Sequence, residues 1–376
     1  MKPKKAWLIS FNGKSYAGGV ERVVYYLDEY LHSRGIETKL IDEEYLIHHT
    51  LFGRLFNQLF RYRHFKKRKM IYLARYTSAL LWLTRKQGRV VISQGESVPF
   101  FPADVAFLHG SYHCMEVAYG RTAPGLSRMA ALQQRACKMA KLVVAVAAQV
   151  KEDLVNYYHT AADKIVVLNN CVDTTKFHPF GKKDTTRRTL LFVGRMEGPK
   201  GMDVLLKLAP VIEQSAEWQL LIACNHSPNS AAFKGLAHTT VKEGLLIDNI
   251  GPEAYGLADM LILPSRFEGF ELVVIEALAA GIPVIGNPVG AIQELSKRPF
   301  PGVYLLREKD RETPDTGTLA YFDDILGTFR STIDPETLHR KVAAEFGIER
   351  YFEQLDTILG PLFFRTNEKN GAPSER

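Results

Sequence analysis

The sequence predicts an α/β chain of two doubly wound parallel sheets on three grounds: its length, an alternation of short β-branched runs with amphipathic segments, and one polar break that divides the runs into two sets. At 376 residues the chain is about two or three times the size of a usual domain. The first set of runs is Lys5–Phe11, Ile36–Ile41, Arg89–Ser93, Val105–His109, Leu142–Val146 and Ile165–Leu168. Each is short and dominated by Val, Ile, Leu or Ala, the composition of strands covered by helices on both faces. The alternation restarts with Thr189–Val193, Gln219–Ala223, Leu245–Ile247, Met260–Leu263, Pro283–Ile285 and Val303–Leu305. Strands separated by helical segments make parallel sheets, so two Rossmann-like domains are expected. Residues 174–188, rich in Lys, Thr, Gly and Pro, mark the linker, with the boundary near Lys182. The expected organisation is a domain over 1–181, a second over 182–347, a helix over 348–365 returning to the first, and a disordered polar tail over 366–376.

Apolar residues make up 46% of the chain and charged residues 24%, the balance of a folded protein. No apolar run reaches the roughly 18 residues that a membrane span needs, and a cytoplasmic protein is expected. The four cysteines stand singly, which predicts neither a zinc site nor a disulfide framework. The net charge of +7 is uneven: residues 1–180 carry 26 Lys and Arg against 14 Asp and Glu, and the remainder 22 against 27. A basic first half expects an anionic partner. Nucleic acid is excluded as that partner by the lack of any recognition module or zinc spacing.

Three segments carry candidate chemistry. In the first, a strand runs into Asn12-Gly13-Lys14-Ser15-Tyr16-Ala17-Gly18-Gly19 and then a helical pattern. Gly18 and Gly19 fit an anion site made of backbone amides at a helix start, or a plain tight turn. In the second, Gly194-Arg195 leaves the carboxyl end of a strand and Lys200-Gly201 precedes a Leu-rich helix. The two cations fit one diphosphate, or are solvated loop charges. In the third, Glu268-Gly269-Phe270-Glu271 opens a helix that holds Glu276 among apolar residues, a costly place for a carboxylate without a partner. A ribose or sugar offers hydroxyl pairs to such a carboxylate, and the amides of Gly269, Phe270 and Glu271 can face phosphate or sugar oxygens. The bland alternative is a helix-start acid and one exposed Glu.

Gly-Arg-x4-Lys-Gly at Gly194–Gly201, followed by Glu268, seven residues and Glu276, resembles glycosyltransferase family 4, the retaining transferases of GT-B fold. The likeness extends from Gly18-Gly19-Val20-Glu21-Arg22 through Leu168-Asn169-Asn170-Cys171-Val172-Asp173 to Gly290-Ala291-Ile292-Gln293-Glu294. It implies two domains facing across a central cleft, an acceptor-binding first domain and a second that holds a nucleotide-sugar, expected to be a UDP-sugar. By resemblance Arg195 and Lys200 hold the donor diphosphate, Glu276 the ribose, Glu268 the transferred sugar, and His109 touches that sugar. Read without the family, His109 serves equally as a packed strand-end residue. Cys171 stands where relatives commonly have glycine, a departure that touches only local geometry at the hinge.

Departure of a nucleoside diphosphate builds negative charge. No Asp-x-Asp triplet is present to hold a metal, so Arg195, Lys200 and aimed amides are the expected counter-charges, with no metal and no cofactor. From Tyr45 to Gly95 there is no acidic residue, and Arg54, Arg61, Arg63, Lys66, Lys67, Arg68, Lys69, Arg75, Arg85, Lys86 and Arg89 are basic. Beside them Leu51, Leu55 and Leu59 with Phe52, Phe56 and Phe60 form an apolar stripe at helical spacing, the pattern of an interfacial helix or of one facing the core. The expectation is a hexose or N-acetylhexosamine transferase acting on an anionic cell-envelope glycolipid or polysaccharide, such as lipopolysaccharide core. Region 54–89 would then rest peripherally on the inner face of an anionic membrane. A nucleotide-sugar epimerase and a non-catalytic membrane-docked binder are the alternatives.

Overall fold

A computed structural model describes residues 5–16, 18–62, 68–85, 88–119, 124–181 and 186–364. Outside the described residues lie Lys182, Ala17, Arg63, Lys66, Lys67, Lys86 and the tail 366–376, and the side chains of Arg54 and Phe56 are likewise undescribed.

Six parallel strands form the first sheet: β1 (Lys5–Ile9), β2 (Glu37–Ile41), β3 (Arg89–Gln94), β4 (Val105–Leu108), β5 (Leu142–Ala145) and β6 (Ile165–Val167), in the order β2-β1-β3-β4-β5-β6. Its helices are α1 (Gly19–Ser33), α2 (Glu43–His48), α3 (Gly53–Leu59), α4 (Lys69–Leu83), α5 (Tyr112–Ala118), α6 (Pro124–Met139) and α7 (Ala148–Asn156). Six more strands form the second sheet: β7 (Arg188–Val193), β8 (Trp218–Cys224), β9 (Thr239–Glu243), β10 (Met260–Leu263), β11 (Val284–Gly286) and β12 (Val303–Leu305), in the order β12-β11-β10-β7-β8-β9. With them go α8 (Met202–Glu213), α9 (Ile247–Glu253), α10 (Leu272–Ala279), α11 (Gly290–Ser296), α12 (Glu308–Glu312), α13 (Thr316–Thr332) and α14 (Pro335–Phe346). The strand order reverses between β1 and β3 in one sheet and between β7 and β10 in the other. In open parallel sheets the crevice outside the carboxyl ends at such a switch is where ligands bind.

One expected strand is corrected. Leu245–Ile247 is not a strand; the sixth strand of the second sheet is β9, Thr-Thr-Val-Lys-Glu, paired in parallel with β8. An edge strand that is half-exposed needs no apolar run, so β9 is silent to a search for one. Leu245–Ile247 instead leads into α9.

A final helix, α15 (Ile348–Phe363), buries Tyr351, Leu355, Leu359 and Phe363 against Leu8, Leu27, Tyr30 and Leu31 of the first domain. Asp356 fixes it there, accepting from Tyr30 at 2.9 Å and from Arg34 at 2.5 and 2.8 Å. The chain therefore passes between domains twice. The two passages touch where the Val172 amide donates to the Phe346 carbonyl at 2.8 Å. One apolar cluster spans the base of the cleft, from Leu108 and Val146 through Phe177 to Phe270, Leu272 and Ile275.

Candidate functional site

The segments singled out in the sequence converge where the carboxyl ends of the two sheets face each other. On the second domain, β7 leads through Gly194 to Lys200 and Gly201. Gly201 caps α8 at φ +78°, where a Cβ would lie 2.3 Å from the Pro264 carbonyl oxygen, so only glycine lets these two loops approach. That approach sets Lys200 against Glu268, with Nζ 2.5 Å from Oε1 and both side chains largely buried. Gly269 then meets the first domain: a Cβ there would lie 1.9 Å from the His109 carbonyl oxygen. On the first domain, Gly19 opens α1 facing Leu272, and Gly18 serves as an uncapped N-cap.

His109 donates one hydrogen bond, from Nε2 to Gln94 Oε1 at 2.7 Å, and burial pushes its pKa down to about 4. It is therefore neutral at pH 7, a hydrogen-bonding group and not a cation. Glu271 is the N-cap position of α10 and accepts from the Ala291 amide at 2.5 Å. Burial, with Glu268 adding to it, raises its pKa well above the usual carboxylate range. The acid beside the paired Lys200 and Glu268 is thus held neutral, which limits the negative charge an incoming phosphate would meet.

Glu276 has both oxygens taken by protein. Arg22 of α1 donates to Oε1 and Tyr255 donates to Oε2 at 2.6 Å, so the buried carboxylate has the partner its position demands. The Arg22 pair also joins the domains. Three further hydrogen bonds do so: the Asn170 side-chain amide donates to the Phe270 carbonyl at 2.9 Å, and Glu294 accepts from the Asn169 side chain and from the Ala148 backbone amide at the start of α7. Arg195 does not share a partner with Lys200. It is exposed and 3.3 Å from Glu197; burial raises the pKa of the Tyr119 hydroxyl on the first domain, with the Arg195 charge opposing that and Glu268 adding to it.

Several buried polar atoms of these segments have no protein partner: Arg22 Nε, Gln94 Nε2, Asn170 Oδ1, Ser265 Oγ, Glu271 Oε1 and Asn287 Oδ1, at strand carboxyl ends or helix starts. Burying such atoms is costly unless a hydrogen-bonding partner is supplied. Sequence reading did not single out Gln94, Glu96, Tyr112 or Tyr255. Glu96 lies just past β3, buried, accepting from the Tyr112 hydroxyl at 3.3 Å, and burial raises its pKa to about 7. The signal for it was present: it is the first acid after the acid-free run from Tyr45 to Gly95.

Residues 17–176 match the sequence family described as Glycosyltransferase Family 4, and residues 187–313 match Glycosyl transferases group 1. The chain belongs to glycosyltransferase family 4. An uncharacterized glycosyltransferase of Methanocaldococcus jannaschii is 28% identical over 180 residues, 43% of this chain and 46% of that one. A lipopolysaccharide core biosynthesis mannosyltransferase of Rhizobium meliloti is 29% identical over 147 residues, 34% of this chain and 42% of that one. The matched stretches span less than half the length of these curated relatives. Among solved structures, sucrose-phosphate synthase of Thermosynechococcus elongatus superposes with a TM-score of 0.74 at 17% identity over 96% of this chain and 99% of that one. HepE of Anabaena, in complex with UDP and glucose, superposes at 0.62 with 12% identity over 95% and 100%. These likenesses establish the GT-B fold for this family member: two Rossmann-like domains across a cleft.

Proposed function

We propose that the protein transfers a hexose or N-acetylhexosamine from a nucleotide-sugar, with UDP as the nucleotide, to an anionic glycolipid or polysaccharide of the cell envelope, with retention of anomeric configuration. The observation that carries the proposal is the Lys200–Glu268 pair beside the Gly269–His109 contact, where the second domain's cation meets the first domain's strand ends. The donor diphosphate would lie on Lys200 and on the amides at the start of α10, and its sugar would lie toward His109. Arg195, exposed on the cleft rim, would reach the diphosphate only by turning inward from Glu197. Glu276 can take the ribose hydroxyls only if Arg22 yields part of its carboxylate.

In the transfer, the bond from the acceptor oxygen to the anomeric carbon forms as the bond from that carbon to the diphosphate breaks. The acceptor proton passes to the leaving phosphate oxygen, and Lys200 offsets the charge that appears there. Neutral His109, its Nε2–H engaged by Gln94, has Nδ1 left to accept a hydrogen bond from a sugar hydroxyl without adding charge. The lipopolysaccharide relative and the UDP complex named above support this choice of acceptor and nucleotide. The exposed Leu51, Phe52 and Leu55 beside the basic helices support peripheral seating on an anionic membrane at the cytoplasmic face. No helix among the described residues is long and apolar enough to cross a membrane.

The test is transfer from labelled UDP-sugars to acceptor extract, with and without a chelator. Lys200→Ala should reduce turnover about tenfold or more, the loss expected for one charge-stabilising contact in the transition state. Unchanged turnover in that variant, or activity abolished by chelator and restored by magnesium, would end the proposal.

A further inference from the structure

A second concave site lies on the first domain, between α4 and α6. It is a cavity of about 340 Å³ lined by Arg68, Ile71, Tyr72, Arg75, Arg128 and Leu132, with Leu132 buried, Arg68, Ile71 and Tyr72 half-buried, and Arg75 and Arg128 exposed. Among the described residues none of these three guanidinium groups has an ion-pair or hydrogen-bond partner. This sets them apart from Lys69, which pairs with Glu43, and from Arg89, which bonds the Thr84 carbonyl and hydroxyl at the end of α4. Neither α4 (KMIYLARYTSALLWL) nor α6 (PGLSRMAALQQRACKM) contains an acid, so nothing on the cavity's own walls can neutralise the cluster. Three like charges converging without a counter-charge repel one another, and an anion that enters is the available relief.

Topology sets the cavity on the cleft side. In a parallel sheet, a helix that leads into the next strand runs back to that strand's start, so its own beginning lies at the carboxyl ends. Arg68 immediately precedes α4, which leads toward β3, and Arg128 lies in the first turns of α6, which leads toward β5. Both therefore stand at the rim that also carries His109 and Glu96. The site combines planar, multidentate cations with apolar lining residues, which suits a phosphate or carboxylate borne on an amphiphilic body.

We infer that Arg68, Arg75 and Arg128 form an anion subsite that holds a phosphate or carboxylate of the acceptor side, next to but separate from the donor site. This rests on the transferase reading for the word acceptor, but the binding chemistry stands without it. The group could belong to a phosphorylated acceptor glycan or to a phospholipid headgroup, and the chemistry recognised is the same.

The experiment uses the full chain and monomeric octyl phosphate as probe, with octyl glucoside as the neutral control, in calorimetric titrations at low and moderate salt. The wild type should bind octyl phosphate and not octyl glucoside. Arg75→Gln and Arg128→Gln, both at exposed positions, should each weaken binding about tenfold, the factor that corresponds to about 1.4 kcal/mol. The double variant should lose binding and keep the thermal midpoint of the wild type. Failure of octyl phosphate to bind, or binding that the double variant leaves intact, overturns the inference. Two further arms identify the source: a soluble methyl hexoside phosphate and phosphatidylglycerol vesicles, each compared between wild type and double variant. Dependence on the arginines in either arm supports the subsite and names its ligand; dependence in neither overturns it. UDP binding measured in the same samples separates the two readings, since loss of the transferase reading would abolish UDP binding without touching octyl phosphate.

Discussion

Removing the Arg22–Glu276 pair should weaken the closed arrangement of the domains more than it weakens either domain. The Glu276 side chain is 2% exposed and that of Arg22 15%, so substituting one partner strands a charge out of water. Breaking such a pair costs about 3–5 kcal/mol, whereas replacing both partners by apolar groups is often nearly neutral. Arg22 is held charged although burial works against it, because Glu276 outweighs that cost. The variants are Arg22→Met, Glu276→Leu and the two together, followed by urea unfolding through tryptophan fluorescence and by small-angle scattering. Each single variant should lose about 3 kcal/mol and show a larger radius of gyration, and the double variant should recover the ion-pair part of that loss, keeping the cost of about 1–3 kcal/mol for the Tyr255 hydroxyl left without its partner. Tyr255, which donates to the same carboxylate, loses its partner in Glu276→Leu but not in Arg22→Met, so the former should be the more damaging. Single variants within about 0.5 kcal/mol of the wild type, or a double variant no better than the sum of the singles, would refute the idea that protein partners stabilise Glu276. The carboxylate's burial would then need a ligand to explain it.

Gly269→Ala should cut transfer about 100-fold by holding the domains apart, since its Cβ would fall 1.9 Å from the His109 carbonyl oxygen and ångström-scale misplacement costs that much; steady-state kinetics with scattering checks it, and near-normal kcat/KM refutes it. Glu96 should make stability fall as pH rises from about 4.5 to about 7, because its folded-state pKa is raised from 4.5 to about 7 and ionising it in place is costly. Glu96→Gln should match the wild type near pH 4 and exceed it at pH 8 by an order of 3 kcal/mol, read as thermal midpoints across that range. Leu51→Ser with Leu55→Ser should reduce flotation on phosphatidylglycerol vesicles while leaving phosphatidylcholine vesicles unbound; equal flotation of variant and wild type would remove residues 51–55 from the proposed membrane contact.

Most strands were legible in the sequence because strands covered on both faces must be apolar throughout. Met260–Leu263, buried throughout, falls where its run places it; Val303–Leu305 does so too although it is a half-exposed edge strand, because its residues are still apolar. β9 was not, since an edge strand satisfies its burial with Val241 and its hydrogen bonds with β8 alone. For the site, glycine and acid spacing pointed to Lys200, Glu268 and Glu276, and the rule that a buried carboxylate needs a partner was sound. Its partner turned out to be Arg22, 254 residues away in sequence. The apolar stripe over 51–60 left two readings open. The structure divides it: Leu51 is 89% exposed and Phe52 and Leu55 each 53%, whereas Phe60 is buried in the core with Ile41, Leu46 and Leu73.

By itself the sequence determined the class of the domains, their number and the family, because periodicity and the spacing of glycines, acids and cations are local properties written along one chain. Tertiary structure alone decided which charges meet. It set Lys200 on Glu268 and not beside Arg195, closed the domains through Arg22, and drew Arg128 beside Arg68 and Arg75. The physical reason is that Coulomb and hydrogen-bond energies depend on distance in space, and it is the docking of helices and the closure of two domains that turn separations along the chain into contacts of a few ångströms.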